Sequence, residues 1–162
     1  MLTKNFYNAL LCAMYGKKTF YYNYYGTKCD LDSYASEFLR FDSATNVATS
    51  KSGQGWRFGT GHDEPTIDDY NISGDVVTTL SMNMSSALAY NDPDGYTLTF
   101  VFTLTNTSNS NNVIIGELAY APYVRGLCPC ILHDKLDTII TIPPSGIAQI
   151  THTITFKYPS AD

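Results

Sequence analysis

Charged side chains are scarce in this sequence. Lys, Arg, Asp and Glu make up 15% of its 162 residues, well under the quarter usual for a soluble domain. Solubility must therefore rest on Ser, Thr, Asn and Tyr, and so weakly charged a surface suits one partly covered by partners. Basic residues are the scarcer sign, 10 Lys and Arg against 15 Asp and Glu, for a net charge of −5. That excludes the usual nucleic-acid binder, whose affinity comes from cations neutralising phosphates. Long apolar runs are lacking too. None approaches the ~20 residues that span a bilayer, so no membrane partner is expected. The opening MLTKNFYNALLCAMYG has a Lys and an apolar stretch, yet Asn5 and Asn8 interrupt it and no small-residue cleavage site follows. It reads as part of the mature fold, and the chain as one made in a cytoplasm.

Cysteine is limited to Cys12, Cys29, Cys128 and Cys130. In a chain this long without a secretion signal, free thiols, buried or half-buried, are expected over disulfides. Cys128-Pro129-Cys130 with His133 resembles a metal corner, but C-x-C is one residue tighter than the spacing of structural zinc sites. No metal or other cofactor is expected. Tryptophan occurs once against 13 tyrosines, and aromatics reach 14%. Together with abundant Thr and Ser this favours β structure. With 44% hydrophobic residues, the length suits one domain spanning 1–162 and is too short for two.

The densest polar cluster lies in the stretch from Arg57 to Met84, where His62, Asp63, Glu64, Asp68 and Asp69 follow Gly59-Thr60-Gly61. A phosphate cradle would need a Lys or a strand-to-helix context, and acids stand there instead. A calcium loop would need alternating oxygen ligands at D-x-D-x-D-G spacing, which is absent. A general acid–base pair of His62 with Asp63 or Asp68 would need a nucleophile or pocket that the sequence does not reveal. The reading favoured is structural: Gly and Pro set the turns, Asp68 or Asp69 caps one, and Ile67, Tyr70 and Ile72 anchor the loop. No catalytic, cofactor-binding or metal residue is predicted, and the chain is not expected to be an enzyme.

Along the chain, Leu2, Phe6, Leu10, Ala13 and Met14 fall on one face of a short helix, with Thr3 near its start and Gly16 as its stop. Lys17–Tyr25 reads as a tyrosine-rich strand ended by Gly26. Asp30–Phe41 suits a short helix or the start of a strand, and 42–55 an exposed loop. Trp56 and Phe58 form a short strand. In the next, Val76, Thr78, Leu80, Met82 and Met84 share one face. Asn91-Asp92-Pro93-Asp94-Gly95 is a turn. Tyr96, Leu98, Phe100, Phe102 and Leu104 then alternate with Val101 and threonines, a strand with a core face. It is expected to pair as a hairpin with Val113–Tyr120, and Thr138–Ile142 with Ile147–Tyr158 across Pro143-Pro144-Ser145-Gly146. His152, in the apolar row of the last strand, is expected to be a hydrogen-bonded core or edge residue. The sequons at Asn71, Asn83 and Asn106 carry little weight without a secretion signal. The pattern predicts a mainly β fold, an antiparallel β-sandwich of jelly-roll or Ig-like type with a short N-terminal α-helix.

The segment FGTGHDEPTIDDYNISGDV resembles one that recurs in tailed-bacteriophage virion proteins, where a Gly-x-Gly turn leads through a Pro to an acidic-Tyr pair. The C-terminal part, with Ile115-Gly116-Glu117-Leu118, Leu132-His133-Asp134-Lys135-Leu136, Ile139–Ile142 and the Pro-Pro-Ser-Gly turn, is similar to the final half of phage head-decoration and tail-appendage proteins. The likeness covers residues 57–158. It departs where the glycine usual after the acid is missing at Leu118-Ala119, and where the basic residue is displaced to Lys135. The resemblance implies a non-enzymatic virion component of capsid or tail, made in the host bacterial cytoplasm, whose partners are other virion proteins and further copies of itself.

Low charge places the expected assembly interface in residues 1–25, an arm carrying Leu2, Phe6, Leu10, Tyr22, Tyr24 and Tyr25. Deleting Met1–Gly16 is then expected to leave a folded β-domain that no longer assembles. The alternative reading is a glycan-binding module of a tail appendage, with exposed aromatics, Tyr24 and Trp56 foremost, as its platform.

Overall fold

The computed structural model describes residues 1–42, 45–91 and 94–158, so the predicted 42–55 loop and 91–95 turn fall partly outside the described residues. Its elements are α1 (Lys4–Tyr15), β1 (Thr19–Tyr22), β2 (Lys28–Leu31), a 3-10 helix (Ala35–Leu39), β3 (Gly55–Gly59), β4 (Leu80–Asn91), β5 (Gly95–Asn106), β6 (Val113–Ala121), β7 (Leu132–Ile142) and β8 (Ile147–Lys157). The molecule is thus mainly β, with antiparallel sheets and one N-terminal helix, as expected.

Two three-stranded sheets, ordered β3-β6-β7 and β4-β5-β8, enclose one core. The alternation in β5 does what its sequence predicts: Phe100, Phe102 and Leu104 point inward and are buried. They meet Trp56 of β3 and Tyr120 of β6, with the Trp56 ring 4.6 Å from that of Phe102 and 4.7 Å from that of Tyr120. Packing of aromatic faces and edges at these distances contributes beyond burial alone. Trp56 has no exposed surface, which removes it from the predicted glycan platform. The strand predicted to begin at Val76 begins at Leu80, while Val76 and Val77 instead extend the edge of β3.

Neither predicted hairpin forms. β5 pairs with β4 and β8, whereas β6 pairs with β3 and β7. The connections after β5 and after β7 therefore carry the chain from one sheet to the other, side by side. Asn106 holds them together: its Nδ2 donates to the carbonyls of Asn111, Ile142 and Pro143 at 2.8, 3.0 and 3.1 Å.

The helix closes an open end of the core. Phe6 is buried in it, and Leu2 and Leu10 pack against it half-buried. These residues, predicted as an assembly contact, already face the protein's own interior. Ala13 and Met14, predicted on that face, are exposed. Ala9 and Cys12 complete a small second core with Tyr21, Leu31, Phe38 and Val124. Asn5, buried in a helix turn, accepts from Tyr22 N at 2.6 Å and donates to the carbonyls of Tyr22 and Cys130. Gly16 stops the helix in the left-handed conformation that glycine adopts freely. The tyrosine strand is shorter than predicted, ending at Tyr22 and pairing with β2.

Candidate functional site

On the outer face of the β3-β6-β7 sheet, the segment 60–75 folds down as a coat. Its anchor is Glu117 of β6, a carboxylate with no exposed surface. Oε1 accepts from the backbone N–H groups of Gly61 and Gly74 at 3.0 and 2.7 Å. Oε2 accepts from Ser73 N and Oγ, both at 2.9 Å, and from His133 Nε2 at 2.8 Å. His133, on β7, donates its other nitrogen to Asp69 Oδ2 at 2.6 Å. An ionised carboxylate can only accept, so with one on each side both ring nitrogens carry protons and the ring is an imidazolium.

The charges support one another. Burial pushes the Glu117 carboxyl up, but the His133 and backbone hydrogen bonds outweigh it and bring the pKa down to about 2. Burial pushes His133 down, but its two carboxylate partners leave it raised above the ordinary value. Asp69 is likewise lowered: burial opposes its charge, and Thr66 and His133 overcome that. Asp69 also caps the turn at Thr66, accepting from its backbone N at 2.7 Å, as one of the two predicted caps.

The Gly-x-Gly turn is required by this arrangement. Gly61 and Gly74 lie back to back, and a Cβ on either would collide with the other's backbone. Ile72 anchors the coat as predicted, buried against Ala119 and Cys130. Ile67 and Tyr70 do not, being 45% and 41% exposed. A second buried charge, Arg57 of β3, sits beside this anchor. Its guanidinium donates to the carbonyls of Gly53 and Cys128 and to Asn71 Oδ1, the last at 3.0 Å. Burial lowers its pKa.

The predicted polar cluster disperses. His62 donates to the Leu136 carbonyl at 2.6 Å, Glu64 pairs with Lys135, and Asp68 with Lys4. Among the described residues no group of His, Cys, Asp and Glu is placed to hold a metal ion. His152 is half-buried 3.7 Å from Asp134, and among the described residues its Nε2 has no hydrogen-bond partner, contrary to expectation. Beside the coat lies a cleft of about 530 Å³, lined by Tyr24, Tyr25, Lys51, Asp63 and Tyr70, with Asp69 and His133 at its floor. Tyr24 and Tyr25, predicted at a contact or platform, stand here; Tyr25 is 73% exposed.

Sequence reasoning placed the stretch but missed Glu117 and His133 as its partners. The signal available was an acid inside an otherwise apolar strand, Ile114-Ile115-Gly116-Glu117-Leu118-Ala119, which must find donors if it is buried. No known protein family, curated protein or solved structure matches the chain.

Proposed function

We propose that this chain is a non-enzymatic structural component of a tailed-phage virion, a capsid-decoration or tail/collar protein that assembles with copies of itself and with other virion proteins. The observation that carries the reading is an apolar overhang. The inner face of β4-β5-β8 continues past the end of the shared core. There Leu88 and Tyr90 of β4, Tyr96 of β5, Phe156 of β8 and Tyr158 just after it stand 67, 58, 38, 36 and 46% exposed. Strand register places them on one surface, and the Tyr96 ring lies 4.9 Å from Tyr90 and 6.0 Å from Tyr158. A contiguous aromatic face of this kind, between the outer strands β4 and β8, calls for a cover. The low charge of the chain agrees.

The residues behind the phage resemblance also support a structural role. Gly61, Glu117 and His133 are consumed in holding the coat to the sheet. For the fold, we infer an Ig-like sandwich. The order β3-β6-β7 parallels the C-F-G sheet of such domains, with the buried Trp56 on the strand matching C. β4 and β5 stand as D and E, and the final strand occupies the place of B.

The test is assembly. Sedimentation should find oligomers of the intact protein, and virions of the phage encoding it should contain the chain. Leu88→Glu with Tyr96→Glu should abolish both without lowering the melting temperature. A monodisperse monomer at high concentration, absent from purified particles, would overturn the proposal.

A further inference from the structure

We propose that the cleft beside the coat is a saccharide-binding site. Its aromatic wall is built before any ligand arrives. Asn23 Oδ1 accepts from the backbone N of Tyr25 and of Thr27, each at 3.0 Å, and fixes the tip of the β1–β2 hairpin. That tip presents Tyr24 and Tyr25 with ring centroids 4.1 Å apart. Tyr70 lies against Gly26 in the same tip, so closely that a Cβ there would stand 2.8 Å from its ring. The three rings thus form one wall that loses little freedom on binding.

The rest of the lining is polar and carries charges of both signs. Glu64 and Asp68 pair with Lys135 and Lys4, and Asp69 shares the His133 cation with Glu117. Of the charged groups lining the cleft, that leaves the Asp63 carboxylate and the Lys51 ammonium, one of each sign and neither in an ion pair among the described residues. A pyranose ring matches this lining: its C–H face packs on tyrosine, and its hydroxyls donate to Asp63 and accept from Lys51. The cleft's volume of about 530 Å³ lies within the ~300–1,000 Å³ of small-ligand sites, room for a short saccharide. Such a site would let an assembled particle hold a glycan surface, and it does not depend on the overhang.

The intact protein would be screened on a glycan array, then titrated with maltose, lactose and chitobiose by ligand-observed NMR. At least one saccharide should bind. Tyr25→Ala should weaken binding about tenfold, the loss of one ring contact of about 1.4 kcal/mol, and Asp63→Asn should weaken it several-fold. Both positions are exposed, so melting temperatures should hold. Absence of binding to every glycan would overturn the proposal, as would a Tyr25→Ala protein that binds like wild type. Binding of spermidine in place of any saccharide would make this a cation site and overturn it equally. Neither substitution touches the overhang, so the oligomeric state of the same variants reports on the virion role separately.

Discussion

Glu117 receives five donors from four residues in three separate stretches of the chain, Gly61, Ser73-Gly74 and His133, and that concentration decides what its loss should do. Glu117→Gln keeps the shape but puts an NH₂ where a carboxylate oxygen accepted, facing N–H groups or the His133 cation. Leaving buried donors and a charge unmatched costs roughly 3 kcal/mol, and urea unfolding should show a loss of that order. The pH dependence has two sides. Glu117 is held at about 2 against an ordinary 4.5, so its contribution is present above 4.5 and is lost as pH falls toward 2. His133 is raised above 6.5, so its contribution is full below 6.5 and is lost as pH rises through the folded value. The anchor is therefore strongest between about 4.5 and 6.5. The melting temperature of wild type relative to Glu117→Gln should show its widest gap there. A constant gap from pH 3 to 9 would refute the charge assignment. Asn106→Ala removes the donors that join the two inter-sheet connections and should cost about 2 kcal/mol. None of these partners was legible in the sequence, where Glu117 reads as one acid among apolar neighbours and Asn106 as part of a sequon. Their meaning lies in contacts that only the folded chain makes.

At the scale of elements, periodicity identified the faces but not what they face. The helix was legible from Leu2, Phe6 and Leu10, and so was its stop at Gly16. Its role as a closure of the core was not, because an apolar stripe looks the same whether it meets its own sheet or another chain. Phe6→Ala should accordingly cost about 3–4 kcal/mol, as large-to-small core changes do. Deleting Met1–Gly16 should leave an unfolded chain rather than a β-domain, seen as loss of cooperative melting. The helix's outward side, with Tyr7, Leu11, Met14 and Tyr15 exposed, is where any contact of this element must lie. β5 was legible in full from its alternation. Its partner was not, since a short polar connection serves equally well to turn within a sheet or to cross between two, and local pattern does not distinguish them.

The whole molecule has one side built tightly and one left open. The β3-β6-β7 sheet is covered on both faces, by the core and by the coat, which explains why all five residues of β3 are buried. The β4-β5-β8 sheet is covered on one face and only in part. Destabilising substitutions should therefore cluster on the first sheet and association-breaking ones on the second, a division that a saturation library sorted by melting and by oligomer size would reveal. The crossing connections also set an order of events in folding. β4 with β5 and β6 with β7 are neighbours in sequence and can close early. β3 must wait for β6, and the open side of β5 for β8, the last of these strands to be made. Pairings so remote raise contact order and slow folding. A ribosome-bound chain that ends before Ile147 has an unpaired β5 flank and an incomplete core, so the nascent protein should become protease-resistant only once β8 has cleared the exit tunnel.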